Sequence, residues 1–189
     1  MKFAFADPPY YLQGKKHYGK LHSQASDWDK IETHVDLVQT LAADYPDGWA
    51  PCMGSVDLIR LVPSLAPHLP ADVRVASWCK SFAVFKPNVN PAYTWEPVLF
   101  RVGRRGDRER LTVKDHLVEP IALQKGLTGA KPESFNRWVL DLLGWEPGDE
   151  VVDLFPGTGG MGDVVERASG EFVLPHSPSV AMSILEDAS

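Results

Sequence analysis

The sequence is poor in cysteine, has no excess of positive charge, shows no internal repeat or low-complexity tract, and contains no long apolar run. Its two cysteines, Cys52 and Cys79, form no C-x-x-C pair and are too few for a disulfide framework, so a reducing compartment is expected. Met1-Lys2-Phe3-Ala4-Phe5-Ala6 alternates from the start, without the basic segment and apolar core of a secretory leader. The expected location is therefore cytoplasmic. No segment reaches the roughly 20 apolar residues of a membrane helix, so no membrane partner is expected. The six histidines are scattered, and His17 and His22 share a loop without a matching Cys/His cluster, which gives no metal site. A formal net charge of -6 argues against a basic nucleic-acid coat, although a local basic patch on an acidic body stays open.

What is present is ordinary for one globular unit: 189 residues, 44% hydrophobic and 23% charged, read as a single domain over 1–189. Residues 2–6 alternate and predict a strand. Residues 7–28 read as a long loop, which in a small domain carries function. Asp29 with Glu32 resembles a capping box, and Ile31, Val35, Val38, Leu41 and Ala42 recur at helical spacing. A strand at about 49–53 follows, then a helix capped by Ser55 and ended by Pro63. Strands are expected at 73–78 and 93–100, separated by a loop over 81–92. Residues 101–130 are polar and Gly-rich. Pro132 opens a helix that Gly144 closes. Residues 150–155 form a strand, and a helix and a short strand at about 172–174 complete the chain. Strands alternating with helices predict an α/β fold with a mostly parallel sheet and helices on both faces. In such sheets the chemistry lies outside the carboxyl ends of the strands.

Two motifs occupy that position. Asp7-Pro8-Pro9-Tyr10 directly follows the first strand. The prolines fix φ and remove two backbone donors. What remains is an acceptor-rich corner, the Asp7 carboxylate and the Pro8 carbonyl, beside the aromatic face of Tyr10. That combination suits a planar group bearing an exocyclic amine; alternatively it is a turn with Tyr10 packed in the core. Asp153-Leu154-Phe155-Pro156-Gly157-Thr158-Gly159 follows a later strand. Its glycines let the backbone turn sharply, and the next helix offers its positive end to an anionic group. Residues 157–162 also spell the dinucleotide fingerprint G-x-G-x-x-G. Its ribose-binding acid, about 20 residues on, would fall near Glu186, outside any clear strand.

Taken together, the motifs resemble those of the S-adenosylmethionine-dependent amino-methyltransferases of nucleic acid. Asp7-Pro8-Pro9-Tyr10 is similar to their catalytic motif, and Asp153-x-Phe155-x-Gly157-x-Gly159 to their methionine-binding motif. Catalytic motif first and cofactor motif last resembles the circularly permuted order of the beta-class enzymes. Lys131-Pro132 resembles the start of their cofactor-covering helix. Ala76-Ser77-Trp78-Cys79-Lys80 and Trp95-Glu96-Pro97-Val98-Leu99-Phe100 look like two further family strands. The resemblance spans roughly residues 2–174 and looks closest to small phage and actinobacterial proteins, which implies a bacterial or phage-infected cytoplasm.

The resemblance implies a Rossmann-like methyltransferase fold and direct methyl transfer from S-adenosyl-L-methionine to an exocyclic amino nitrogen in DNA. Adenine N6 is favoured over cytosine N4, because the motif begins with Asp. Asp7, Pro8, Pro9 and Tyr10 would be catalytic. Hydrogen bonds from the amine to Asp7 and the Pro8 carbonyl would favour a pyramidal nitrogen, and Tyr10 would stack on a base flipped from the duplex. Cofactor contacts would come from Asp7, Lys131, Pro132, Glu133, Ser134, Asp153, Phe155, Gly157, Thr158 and Gly159. The family's ribose-binding acid is missing; His176 stands near its place, which leaves that contact open. No covalent nucleophile is implied, in keeping with the context of Cys52 and Cys79. A methyltransferase acting on RNA or a free nucleotide is an alternative, as is a non-catalytic nucleic-acid-binding module.

Two basic segments are the candidates for substrate contact. Lys15 and Lys16 lie within 11–30, and Arg101, Arg104, Arg105, Arg108 and Arg110 within 101–130, both taken as substrate-side loops. Each reads equally as a solvated surface loop or as phosphate contact. Neither is long enough for an elaborate recognition domain, so sequence specificity is expected to be low or to come from a homodimer or partners. Trp28, Trp49, Trp138 and Trp145 are expected to be packing residues.

Overall fold

A computed structural model describes residues 1–20, 22–82, 87, 89–104, 106, 112–121, 130–168 and 171–173. Seven strands form one sheet among them: β1 (Lys2–Ala6), β2 (Gly48–Pro51), β3 (Arg74–Cys79), β4 (Trp95–Val102), β5 (His116–Val118), β6 (Glu150–Asp153) and β7 (Glu171–Val173). Their order is β5-β3-β4-β2-β1-β6-β7. β4 runs antiparallel to its neighbours β2 and β3, and the other pairings are parallel.

The alternation in β1 explains the layering. Phe3 and Phe5 point to one face, and Ala4 and Ala6 to the other; all four are buried, as befits a strand covered on both sides. On the Phe face they pack with Phe135, Val139 and Leu143 of α4 (Glu133–Leu143) and with Met161, Val164 and Val165 of α5 (Gly160–Arg167). On the Ala face the cover is Leu37, Val38 and Leu41 of α2 (Ile31–Asp44) and Leu61 and Leu65 of α3 (Asp57–Leu65). The crossover from β1 to β2 therefore uses one face and that from β6 to β7 the other. The chain reverses its winding between β1 and β6, and a crevice opens outside their carboxyl ends. Asp7 and the glycine turn leave the sheet there.

Several local expectations are revised. The loop over 7–28 contains a short helix α1 (Gly14–Tyr18) and a 3-10 segment Ser23–Asp29. Asp29 does not cap its own helix. Its carboxylate accepts the backbone N–H groups of Gly14 at 2.9 Å and Lys15 at 3.3 Å, capping α1 instead. Ser55 makes no cap for α3; the Asp57 carboxylate accepts the Gly54 N–H at 2.9 Å. Pro63 sits inside α3 rather than ending it, because its face is exposed and the carbonyl it leaves unpaired can turn to solvent, while Leu61 and Leu65 continue the buried stripe. β5 was not expected: three residues in a polar stretch form it by pairing with β3. Gly144, at φ 69, closes α4 in the left-handed conformation, as its sequence position implied. Trp28, Trp49 and Trp138 are buried. Among the described residues no helix is long and apolar enough to cross a membrane.

Candidate active site

The direction of β4 assembles the site. Because β4 is antiparallel, its first residues lie at the edge where the parallel strands end. Glu96 pairs in register with Trp78 near the end of β3, and the Lys80 N–H donates to the Thr94 carbonyl at 2.7 Å. This brings Lys80 and Glu96 beside Asp7, which leaves β1, and Lys131, which precedes α4.

Lys131 is 8% exposed, and its ammonium lies 3.1 Å from Asp7 Oδ2, 3.0 Å from Glu96 Oε2 and 2.8 Å from the Tyr10 hydroxyl. It also stands near the ring centroids of Tyr10 at 5.2 Å, Trp78 at 5.6 Å and Phe135 at 5.8 Å, within cation–π range. Tyr10 donates its hydroxyl to Glu96 Oε2 at 2.6 Å, so its ring is pinned at the far end. Lys80 bonds Glu96 Oε1. Pro8 and Pro9 are buried and hold the loop rigid. Asp7 Oδ1 is buried and accepts no hydrogen bond. An unmet buried acceptor of this kind costs about 1–3 kcal/mol and calls for an N–H donor.

Charge states follow from this packing. Burial, then the nearby Glu96 carboxylate, raises the Asp7 pKa against the opposing pull of Lys131. Burial would raise Glu96 as well, but Lys131 and Lys80 outweigh it and hold Glu96 down at about 2. Lys131 stays protonated, since Asp7 and Glu96 overcome the effect of its burial. Burial and the Asp7 and Glu96 anions push the Tyr10 hydroxyl well up. Burial and Asp7 do the same to the Cys52 thiol, which leaves it a poor nucleophile near neutrality.

Across the crevice, β6 ends at Asp153, which is buried and whose Oδ1 accepts the Phe155 N–H at 3.0 Å. Burial, then Asp7, pushes its pKa up to about 7. Gly157 and Gly159 take φ values of 50 and 80, where a side chain is strained. A Cβ at Gly159 would meet nothing within 4 Å, so the turn is an open cradle at the amino end of α5. The donor set fits the methionine end of S-adenosylmethionine: an acidic side chain for an ammonium, and a helix start for a carboxylate. Phe155 packs edge-on against Trp28, with centroids 5.1 Å apart. Thr158 is exposed and Ser134 half-buried.

The remaining site residues are less uniformly placed. Lys131 points at Asp7 and Glu96. Glu133 is exposed and accepts from Arg167 at 2.9 Å, while Pro132 uses its carbonyl to start α4. Lys15 and Lys16 are exposed on α1. The Tyr18 hydroxyl of the same helix is raised by burial and next by Asp7, so α1 borders the site. Arg101 and Arg104 lie elsewhere. Arg101 pairs in register with Trp49 at the start of β2, at the opposite edge of the sheet. It binds Asp72 at 3.0 Å and the Pro46 carbonyl at 2.8 Å. Arg104 binds Glu146 and Asp149. The antiparallel run of β4 carries both to the edge of the sheet away from Asp7. Arg105, Arg108 and Arg110 lie outside the described residues, as does His176. Lys80 and Glu96 were visible in the sequence as parts of two strands similar to family strands, but nothing there showed that Glu96 meets both Lys80 and Lys131.

The sequence matches no family model and no curated protein. Solved structures are similar in fold. PvuII DNA methyltransferase, cytosine-N4-specific, is 17% identical, with 97% of this chain and 77% of that chain covered and a TM-score of 0.63. M1.HpyAVI, solved with its SAM ligand, is 14% identical, with coverage of 92% and 80% and a TM-score of 0.59. TTHA0409 of Thermus thermophilus, provisionally assigned as a DNA modification methylase and solved with S-adenosyl-L-methionine, is 16% identical, with coverage of 98% and 85% and a TM-score of 0.55. These likenesses establish the Rossmann-like methyltransferase fold of the chain.

Proposed function

We propose that this fold carries out S-adenosylmethionine-dependent methyl transfer to an exocyclic amino nitrogen of a DNA base. The observation that carries the reading is Asp7 Oδ1, a buried acceptor without a donor, beside the pinned Tyr10 ring and across the crevice from an open glycine cradle. Asp153, Phe155, Gly157, Thr158 and Gly159 would hold the cofactor, which when bound supplies an electrophilic methyl group.

The chain's own residues do the rest. Asp7 Oδ1 would accept an N–H of the target amine and draw its lone pair out of conjugation with the ring. The same carboxylate, with its affinity for a proton raised by burial, is placed to receive the proton the amine sheds. Tyr10 would offer its ring face to the base. Since Oδ1 is closed to solvent, a base still stacked in a duplex could not reach it. The target would have to be unpaired or flipped, at a cost of a few kcal/mol.

Adenine N6 is the preferred acceptor on the Asp that begins the motif. Cytosine N4 is the second reading, favoured by the fold likeness to the PvuII enzyme. Tritiated-methyl transfer on duplex DNA, single-stranded DNA, RNA and nucleotides, followed by nucleoside mass spectrometry, tests both. N6-methyladenine in DNA is the expected product. N4-methylcytosine would establish the second reading, methyl transfer confined to RNA or nucleotides would move the substrate class, and no transfer anywhere would overturn the proposal.

A further inference from the structure

The buried network behind Asp7 contains more charge than an amine acceptor needs. Two carboxylates, Asp7 and Glu96, face two ammonium groups, Lys80 and Lys131, and the four sum to zero. Lys131 donates to Glu96 Oε2 and to the Tyr10 hydroxyl and forms an ion pair with Asp7 Oδ2 at 3.1 Å. Glu96 is the hub: Oε2 takes both Lys131 and Tyr10, while Oε1 takes Lys80 and so stops the carboxylate from turning.

We propose that Glu96 is a positioning residue for Asp7 and Tyr10: by sharing Lys131 with Asp7 it confines the ammonium to Oδ2 and leaves Oδ1 without a donor until the substrate amine supplies one, and by accepting the Tyr10 hydroxyl it sets the plane of the ring. Without the Glu96 charge, Lys131 would have one anion left to neutralise. It would close on Asp7 and compete with the substrate for the same carboxylate. Tyr10 would lose the acceptor that fixes it. The inference rests on the methyl-transfer reading above and assigns Glu96 a role exerted through Lys131 and Tyr10.

Steady-state kinetics of wild type and Glu96→Gln test it. The amide keeps the shape and removes the charge. The expected result is a fall in kcat of about 100-fold, the scale of a misplacement near 1 Å, with KM for S-adenosylmethionine unchanged within about twofold. The acid limb of the kcat/KM profile should move to lower pH, because the anion that raises Asp7 is gone. In a Lys131→Gln background, Glu96→Gln should cost less than it does in wild type, since the part of its role exerted through Lys131 is already gone and only the Tyr10 contact remains to be lost. Wild type inactive on every nucleic acid would overturn the methyl-transfer reading, and this inference with it. An active wild type with kcat and the acid limb unmoved in Glu96→Gln would overturn this inference alone. If Glu96→Gln does not melt cooperatively, Lys80→Gln replaces it: a several-fold fall in kcat supports the role, and an unchanged kcat and acid limb overturns it.

Discussion

At the scale of single residues, the proposed reading gives two aspartates at strand ends different work. Asp7→Ala removes the proposed acceptor for the amine. Methyl transfer should fall by about 10²- to 10³-fold, while calorimetry shows cofactor binding retained; unchanged turnover would remove Asp7 from the site. Asp153 has a pKa of about 7 against an ordinary 3.8. The folded chain then holds more protons than the unfolded one between roughly pH 4 and 7, so this group's contribution to stability falls as pH rises through that window and stays unfavourable above it. Asp153→Asn keeps an acceptor for the Phe155 N–H and removes the buried charge. Its melting temperature at pH 8 should rise, on the order of 5 °C for a gain of about 2 kcal/mol, with cofactor affinity lost. A scan showing no rise at pH 8 and the same slope below pH 7 would refute this.

At the scale of elements, α1 is held by others more than by itself. It has five residues, too few to be stable alone, and no cap of its own. Asp29 supplies the cap across the loop. Gly14 lies so close to the Ala25 carbonyl that a Cβ would collide with it. Asp29→Ala should cost about 1 kcal/mol and speed amide exchange over 14–18. If α1 carries the substrate-side lysines, it should also raise KM for DNA more than KM for cofactor. Exchange rates equal to wild type would show that the cap is dispensable. Asp29 with Glu32 reads in sequence as a local capping signal, because local pairing is all that spacing can report.

At the scale of the whole molecule, the reversal of β4 separates two basic segments that look alike in sequence. Lys15 and Lys16 stand exposed on α1, which borders the site, whereas Arg101 and Arg104 are paired with carboxylates at the far edge of the sheet. Lys15→Ala/Lys16→Ala should weaken DNA binding on all sequences and lower the slope of log K against log salt by about 2, roughly 0.9 for each phosphate no longer neutralised. Arg101→Ala/Arg104→Ala should lower the melting temperature and leave that slope in place. Fluorescence titrations over a salt series check both, and the reverse pattern would return the arginines to the interface.

The sequence by itself determined the α/β class, both strand-end motifs, the buried alternation of β1 and the capping of α4 by Gly144. Each of these is written in neighbouring residues, through pleat, turn chemistry or helical period. Only the tertiary structure decided the direction of β4, and that direction set the site. It brought Glu96, bonded to Lys80, to Lys131, which also meets Asp7, and it sent Arg101 and Arg104 away. A strand's residues specify its faces. Whether it runs parallel or antiparallel depends on which backbone it meets, and neither alternation nor spacing records that partner.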